Sequence, residues 1–327
     1  VTLPHRGRGL DPVTVGLVLG WVADELVGDP RRGHPVALFG SWTSWVEQRT
    51  HRDSRAAGVL TEAIVLMPVL ALGFAATRLP PAGRTGATAA LTWAALGGTS
   101  LGREGNAVHD LLVTGDLPGA RRQVRNLVGR VTDDLAPDDV ARAAIESVAE
   151  NTSDAVVGTL VWGALLGPLG VVLHRAANTL DAMHGHRTPR FARFGWAAAR
   201  LDDVLGWLPA RVTVLATAAA RPLRAREVVS TALRDGREHP SPNAGPVEAG
   251  FAAALRIRLG GRTVYASGVE ERVVMGTGPA PRAADLPRTV ALARRVGLIT
   301  LIAVVGMRLG GVAGCSWASG RDSPGAS

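Results

Sequence analysis

Long apolar runs alternate along this chain with polar stretches that hold most of its charge. Val59 to Leu79 is the clearest run: about twenty residues, the length of a bilayer crossing, with Glu62 as its one internal acid. Thr85 to Leu101 is shorter and rich in small residues, which suits helix packing in lipid. Val296 to Val312 is interrupted only by Arg308. Val13 to Val22 is too short to be secure, because Asp24, Glu25 and Asp29 follow it. The Pro-Pro-Gly turn at Pro80 to Gly83 predicts a helical hairpin between the first two runs. Two further runs are interrupted: Ala155 to Leu173 at Gly167-Pro168, and Val204 to Ala220 by Pro209 and Arg211.

The pattern is most informative from Arg142 to Leu160, RAAIESVAENTSDAVVGTL, where polar residues pass without a break into an apolar segment. Pro137-Asp138-Asp139 predicts a helix start, since proline suits the first turn and acids there face the positive end of the dipole. From there Val140, Ala144 and Val148 form a core-facing stripe. Arg142, Glu146, Glu150 and Asp154 share the same spacing about 200° away. Like charges at i, i+4 cost an isolated helix about 0.2–0.5 kcal/mol per pair, so this row points to a cation, either arginine or a divalent metal. A solvated face with one Arg142–Glu146 pair is the plainer alternative.

Topology follows from charge. If every apolar run crossed a bilayer, the Glu150 and Asp181 clusters would lie on opposite sides. If Ala155–Leu173 and Val204–Ala220 are re-entrant or broken helices packed in protein, all polar clusters share one side, together with 30 of the 36 arginines. The positive-inside rule makes that side cytoplasmic. The expected fold is therefore all-α: a multi-pass integral membrane protein of the cell membrane, with three or four spans, re-entrant or broken helices, and cytoplasmic helical loops around the site. One domain is expected over residues 1–327, ordered from about 10 to 314, with a Ser- and Gly-rich tail from 315. The basic start and short apolar run lack a small-residue cleavage site for a secretory signal.

Composition narrows the chemistry. The chain is 46% hydrophobic with a net charge of +8, and every basic residue is arginine. Without lysine there is no Walker A loop, Schiff base or lysine general base. No zinc-finger spacing or RNP-like motif supports nucleic acid as a partner. Anionic lipid or phosphorylated small molecules fit the arginines better. The single Cys315 excludes an intrachain disulfide and a cysteine metal cluster.

Other polar stretches carry candidates. Asp24 to Gly40 reads as a tight turn with Asp29 and His34 as its chemically able side chains. Arg121, Arg122, Arg125 and Arg130 gather before the acidic helix, as a phosphate site or as a membrane-proximal surface would require. A second polar cluster spans Asn178 to Met183 and Arg200 to Asp203, and His239 to Gly245 reads as a rigid loop whose amides are able to face an anion.

Taken in order, these stretches resemble the CobD/CbiB family, the membrane-bound adenosylcobinamide-phosphate synthases of cobalamin biosynthesis. The resemblance runs from about Gly20 to the last apolar run. It rests on GDPRRGHPV (28–36), VGRVT (128–132), RAAIESVAENTSD (142–154), NTLDAM (178–183), FGWAAARLDD (194–203), LPAR (208–211) and HPSPNAG (239–245). It implies an ATP-dependent amide ligase that joins aminopropanol or its phosphate to the free propionate carboxylate of adenosylcobyric acid, with Mg²⁺ and an acyl phosphate on the way. Association with other cobalamin-assembly enzymes at the bilayer is a further implied partnership.

Under that resemblance Glu146, Glu150, Asp154 and Asp181 are the catalytic candidates, and Glu150, Asp154, Asp202 and Asp203 the metal ligands. Arg130, Arg142, Arg200 and Arg211 would take phosphates, while Asn151, Asn178, Ser241 and Asn243 would meet substrate. Asp29 and His34 rank second. The sequence departs from the family where Val131 stands in place of a usual aspartate, which shifts attention to Asp133 and Asp134. A membrane transporter, or another phosphate-handling membrane enzyme such as a lipid phosphotransferase, is the competing expectation.

Overall fold

The computed structural model describes residues 11–29, 33–186, 188–265 and 268–318. The described residues open with α1 (Pro12–Val27), α2 (Pro35–Thr50), α3 (Arg55–Thr77), α4 (Pro81–Leu96), α5 (Gly98–Val113) and α6 (Leu117–Val124). The chain continues through α7 (Pro137–Asn151), a π-helical stretch (Thr152–Val157), α8 (Gly158–Leu166), α9 (Pro168–His184), α10 (Trp196–Ala220), α11 (Ala225–Arg234) and α12 (Ala244–Leu255). An antiparallel hairpin of β1 (Leu259–Tyr265) and β2 (Gly268–Met275) precedes the long α13 (Asp285–Ala318). The expectation of an all-α chain is corrected by that hairpin. Its strands hold the β-branched and aromatic residues Thr263, Val264, Tyr265, Val269, Val273 and Val274, which favour extended backbone over helix. The expected tail beyond residue 318 and Pro30, Arg31 and Arg32 of the GDPRRGHPV motif lie outside the described residues.

Two helices, 55–77 and 285–310, are long and apolar enough to cross a membrane. Only 28% and 39% of their most apolar windows are buried inside the protein, and Leu60, Met67, Leu72, Ile302 and Met307 face outward. A helix of a soluble core would bury such a surface. The run Thr85–Leu101 does not form one span: the left-handed Gly97 ends α4 and α5 starts at once. α4 instead packs against α1, where a Cβ on Gly16 or Gly20 would lie 2.5 or 2.6 Å from the Cβ of Thr88 or Thr92. That is the close small-residue approach by which helices associate without a large apolar side chain between them. Gly16→Leu is therefore expected to prise the pair apart at a cost of about 1–3 kcal/mol, read as a lowered midpoint of thermal unfolding in detergent. An unchanged midpoint would refute the packing.

The interrupted runs resolve differently. At Gly167 the backbone takes φ +64° and the chain reverses, so α8 and α9 pack as a hairpin and return Asp181 to the end where Glu150 lies. This is the arrangement that a re-entrant Ala155–Leu173 requires. By contrast Val204–Ala220 is unbroken, being part of the 25-residue α10 despite Pro209. Proline removes an intrahelical bond to the carbonyl four residues earlier. Here the Trp162 indole N–H donates to that freed Leu205 carbonyl at 2.8 Å, so the helix continues without an orphan. At the opposite end Arg308 is neutralised by Asp11 (2.8 Å), whose carboxylate also caps α1 through the Thr14 amide.

Candidate functional site

The predicted helix start at Pro137 and the stripe Val140, Ala144 and Val148 are as expected, all three residues being fully buried. The opposite row does not act as one uniform face. Both Glu146 oxygens are engaged: Oε2 accepts from Arg130 at 2.6 Å and Oε1 accepts from the Gly260 amide at 2.8 Å. Arg142 donates to Asp139 and, through the same fork, to the carbonyls of Gly260 and Arg262. One turn of α7 thus pins the start of β1, more than a hundred residues later in the chain. Arg142 is thereby tied to backbone and Asp139, and Glu146 holds Arg130 in place.

Beyond Asn151 the helix widens into the π-helical stretch that carries Asp154, a local irregularity frequent at functional sites. There the acids converge. Glu150 opens onto a recess of about 110 Å³ with Arg130, Glu146, Glu248 and Arg272 around it. Glu150 keeps part of its side chain in solvent at the rim of that recess, and the protein behind it pushes its carboxyl up; Arg272 and Arg130 oppose this, and Glu146 and Asp181 reinforce it. Asp154 is held well above the usual carboxylate range by burial, then by Asp202, Glu150 and Asp181, against Arg175. Burial, Asp181, Asp203 and Glu150 push Asp202 up to about 7, a donor bond from Asn178 acting against them. Asp181 is raised by burial and by Asp203 and Glu62, with His186 opposing. Glu248 is raised well above its range by burial and by Glu146 and Glu150.

Carboxylates thus outnumber the arginines Arg130, Arg175 and Arg272 that share their surroundings, and neutrality requires either protons or a bound cation. Among the described residues no three acidic, histidine or cysteine groups are arranged as a ready-made metal cage. The donor set fits a hard cation held by one or two carboxylates and completed by ligand phosphates, the usual manner of Mg²⁺.

The remaining candidates are spread around this centre. Asn178 also accepts from Arg175 (3.4 Å), and Arg175 lies close enough to Asp29 and Asp154 to feel both charges. Asp29 pairs with His34 (3.6 Å), whose Nδ1 accepts from the Val36 amide and so caps α2. Asp203 sits at the edge, paired with Arg200 at 3.3 Å. Asn151 donates to the Ser147 carbonyl. The HPSPNAG loop is occupied internally: Ser241 Oγ accepts the amides of Asn243 and Ala244, and Asn243 bridges the Asp203 carbonyl and Arg211. Its amides are spent within the loop, those of Asn243 and Ala244 on Ser241 Oγ and that of Ser241 on His239 Nδ1, and the anion-binding geometry expected of the loop is not formed. Of the two acids weighed beside Val131, Asp133 pairs with the exposed Arg125, while Asp134 and Val131 line a larger cavity next to Arg130.

The sequence model of the family described as CobD/CbiB protein matches residues 17–293. The chain belongs to the CobD/CbiB family. It is 48% identical over 288 residues to the cobalamin biosynthesis protein CobD of Mycobacterium tuberculosis, covering 86% of this chain and 91% of that one. The Rhodobacter capsulatus protein of the same name is 42% identical over 301 residues, with coverage of 90% and 95%. That of Stutzerimonas stutzeri is 39% identical over 299 residues, with coverage of 90% and 98%. No solved structure matches.

Three residues of this CobD/CbiB centre escaped the sequence reading: Arg175, Glu248 and Arg272. Two had a local signal. Glu248 is a lone acid in the apolar helix AGPVEAGFAAAL, and Arg175 closes an apolar run one turn before Asn178; a charge in such a place needs a partner. Arg272 lies in an ordinary-looking charged strand and had none.

Proposed function

We propose that this CobD/CbiB member is a membrane-bound, ATP-dependent amide ligase. It joins aminopropanol or aminopropanol phosphate to the free propionate carboxylate of adenosylcobyric acid, with ADP and phosphate as the other products. The observation that carries the reading is the convergence of Glu150, Asp154, Asp181 and Asp202 beside Arg130, at the edge of a bundle whose α3 and α13 face outward with apolar surface. A carboxylate is a poor electrophile, and its conversion to an acyl phosphate develops charge that cations must meet. Mg²⁺, when bound, would supply that charge neutralisation on the phosphate oxygens, with Glu150 and Asp154 as its protein ligands. Arg130, held by Glu146, presents a fixed guanidinium to phosphate. Asp202, whose carboxyl burial and its acidic neighbours push up, is the carboxylate suited to take the proton from the attacking amine, since a raised pKa makes a stronger base. Lipid surrounds α3 and α13, and the acidic centre faces the arginine-rich cytoplasmic side, where other cobalamin-assembly enzymes would deliver its substrates.

The test is purified protein in detergent with MgATP, adenosylcobyric acid and aminopropanol phosphate, reading corrinoid mass and ADP together. Amide and ADP in equal amounts are expected. Their joint absence while a relative works alongside would overturn the reading. Within it, Glu150→Gln is expected to lower turnover about 100-fold or more; full turnover at saturating Mg²⁺ would remove Glu150 from the metal site.

A further inference from the structure

A second cavity, about 540 Å³, lies on the other side of Arg130 from the acidic recess, and Arg130 is the one residue that walls both. Its outer wall comes from β1, the strand that Arg142 and Glu146 pin to α7. Arg262 reaches it from that strand, exposed and without an ionic or hydrogen-bonding partner for its guanidinium among the described residues. Thr263 beside it is buried. Val131 and Leu135 add an apolar patch, Asp134 adds an acceptor, and the Arg142–Asp139 pair, its two charges offset at 2.9 Å, completes the wall. Free guanidinium, apolar patch and acceptor within a volume typical of small-molecule sites make a place for a phosphorylated ligand that also carries a flat apolar part and hydroxyl groups.

We infer that this cavity is the nucleoside triphosphate chamber, with Arg262 on the phosphate chain and the terminal phosphate at Arg130, facing the acidic recess. The inference rests on the ligase reading above and adds to it a second compartment and a strand that no motif of the resemblance covers. Aminopropanol phosphate shares the phosphate chemistry but would leave most of the volume unfilled. The corrin macrocycle with its nucleoside is too large to enter. The position of Val131 acquires a meaning too: an apolar residue there faces the part of the chamber suited to a base.

The test is calorimetric binding of MgATP to the full chain in detergent, for the wild type, Arg262→Ala and Val131→Trp, with adenosylcobyric acid binding measured on the same samples. Arg262→Ala is expected to weaken MgATP about tenfold or more, and Val131→Trp to weaken it by a similar factor, by crowding the apolar part of the cavity. Corrinoid binding should be unchanged in both, which shows that they fold. Wild-type MgATP affinity in both variants would overturn the assignment, as would a rise confined to the KM for aminopropanol phosphate. A wild-type protein that binds MgATP but forms no amide would instead count against the ligase reading and leave the chamber standing.

Discussion

Arg130→Ala is expected to destabilise the protein by about 3–5 kcal/mol and to abolish turnover. The Arg130–Glu146 pair is almost wholly enclosed, with side chains 6% and 2% exposed. Breaking such a pair leaves an uncompensated buried charge, which costs far more than the net worth of the pair. Here the orphaned Glu146 would stand beside Glu150 and Glu248, whose carboxyls the Arg130 charge already favours in ionised form. The double variant Arg130→Ala/Glu146→Gln is therefore expected to recover much of the lost stability, because both charges leave together. It should recover none of the activity, since the phosphate-facing guanidinium is still missing. Thermal unfolding in detergent and ADP release, measured on the three variants, separate the two roles. A double variant no more stable than Arg130→Ala would show that the pair is not the source of the loss.

Asp202→Asn is expected to be nearly inactive and yet, at pH 8 without Mg²⁺, more stable than the wild type. Its folded pKa of about 7 stands above the 3.8 of an ordinary aspartate. Between those values the folded chain holds a proton that the unfolded chain has released, so stability falls as pH rises from about 4 to about 7 and stays lower above it. A shift of that size corresponds to a ceiling of about 4 kcal/mol, shared with Asp154 and Asp181, which repel the same charge. Asparagine removes the penalty, and the two proteins should converge near pH 4. Mg²⁺ should flatten the pH dependence of the wild type by supplying the missing cation. Parallel wild-type and variant curves from pH 4 to 8 would show that Asp202 does not share in the buried charge.

Much of the local structure was readable because it depends on near neighbours. Pro137 with two acids starts α7, the Pro80 turn closes the α3–α4 hairpin, and Gly167-Pro168 ends α8 where the pattern breaks. Each is set by backbone chemistry within one turn. Local chemistry is overruled where a distant group intervenes. Pro209 looked like a break, and Trp162 makes it harmless by taking the Leu205 carbonyl. Ser241 and Asn243 looked free for ligand, and the start of α12 and Arg211 occupy them.

By itself, the sequence determined the family, the helical character of most of the chain, and the row of charge at Arg142, Glu146, Glu150 and Asp154. Those properties are carried by residue identity and helical spacing. Only the tertiary structure decided that the row divides in function. Arg142 and Glu146 hold a β-hairpin and Arg130, whereas Glu150, just before the π-helical stretch, and Asp154, within it, turn into the acidic centre. It also decided that Arg175, Glu248 and Arg272 belong to that centre. The physical reason is that charges interact through space with a strength set by burial and distance, and neither is written in the order of residues along the chain.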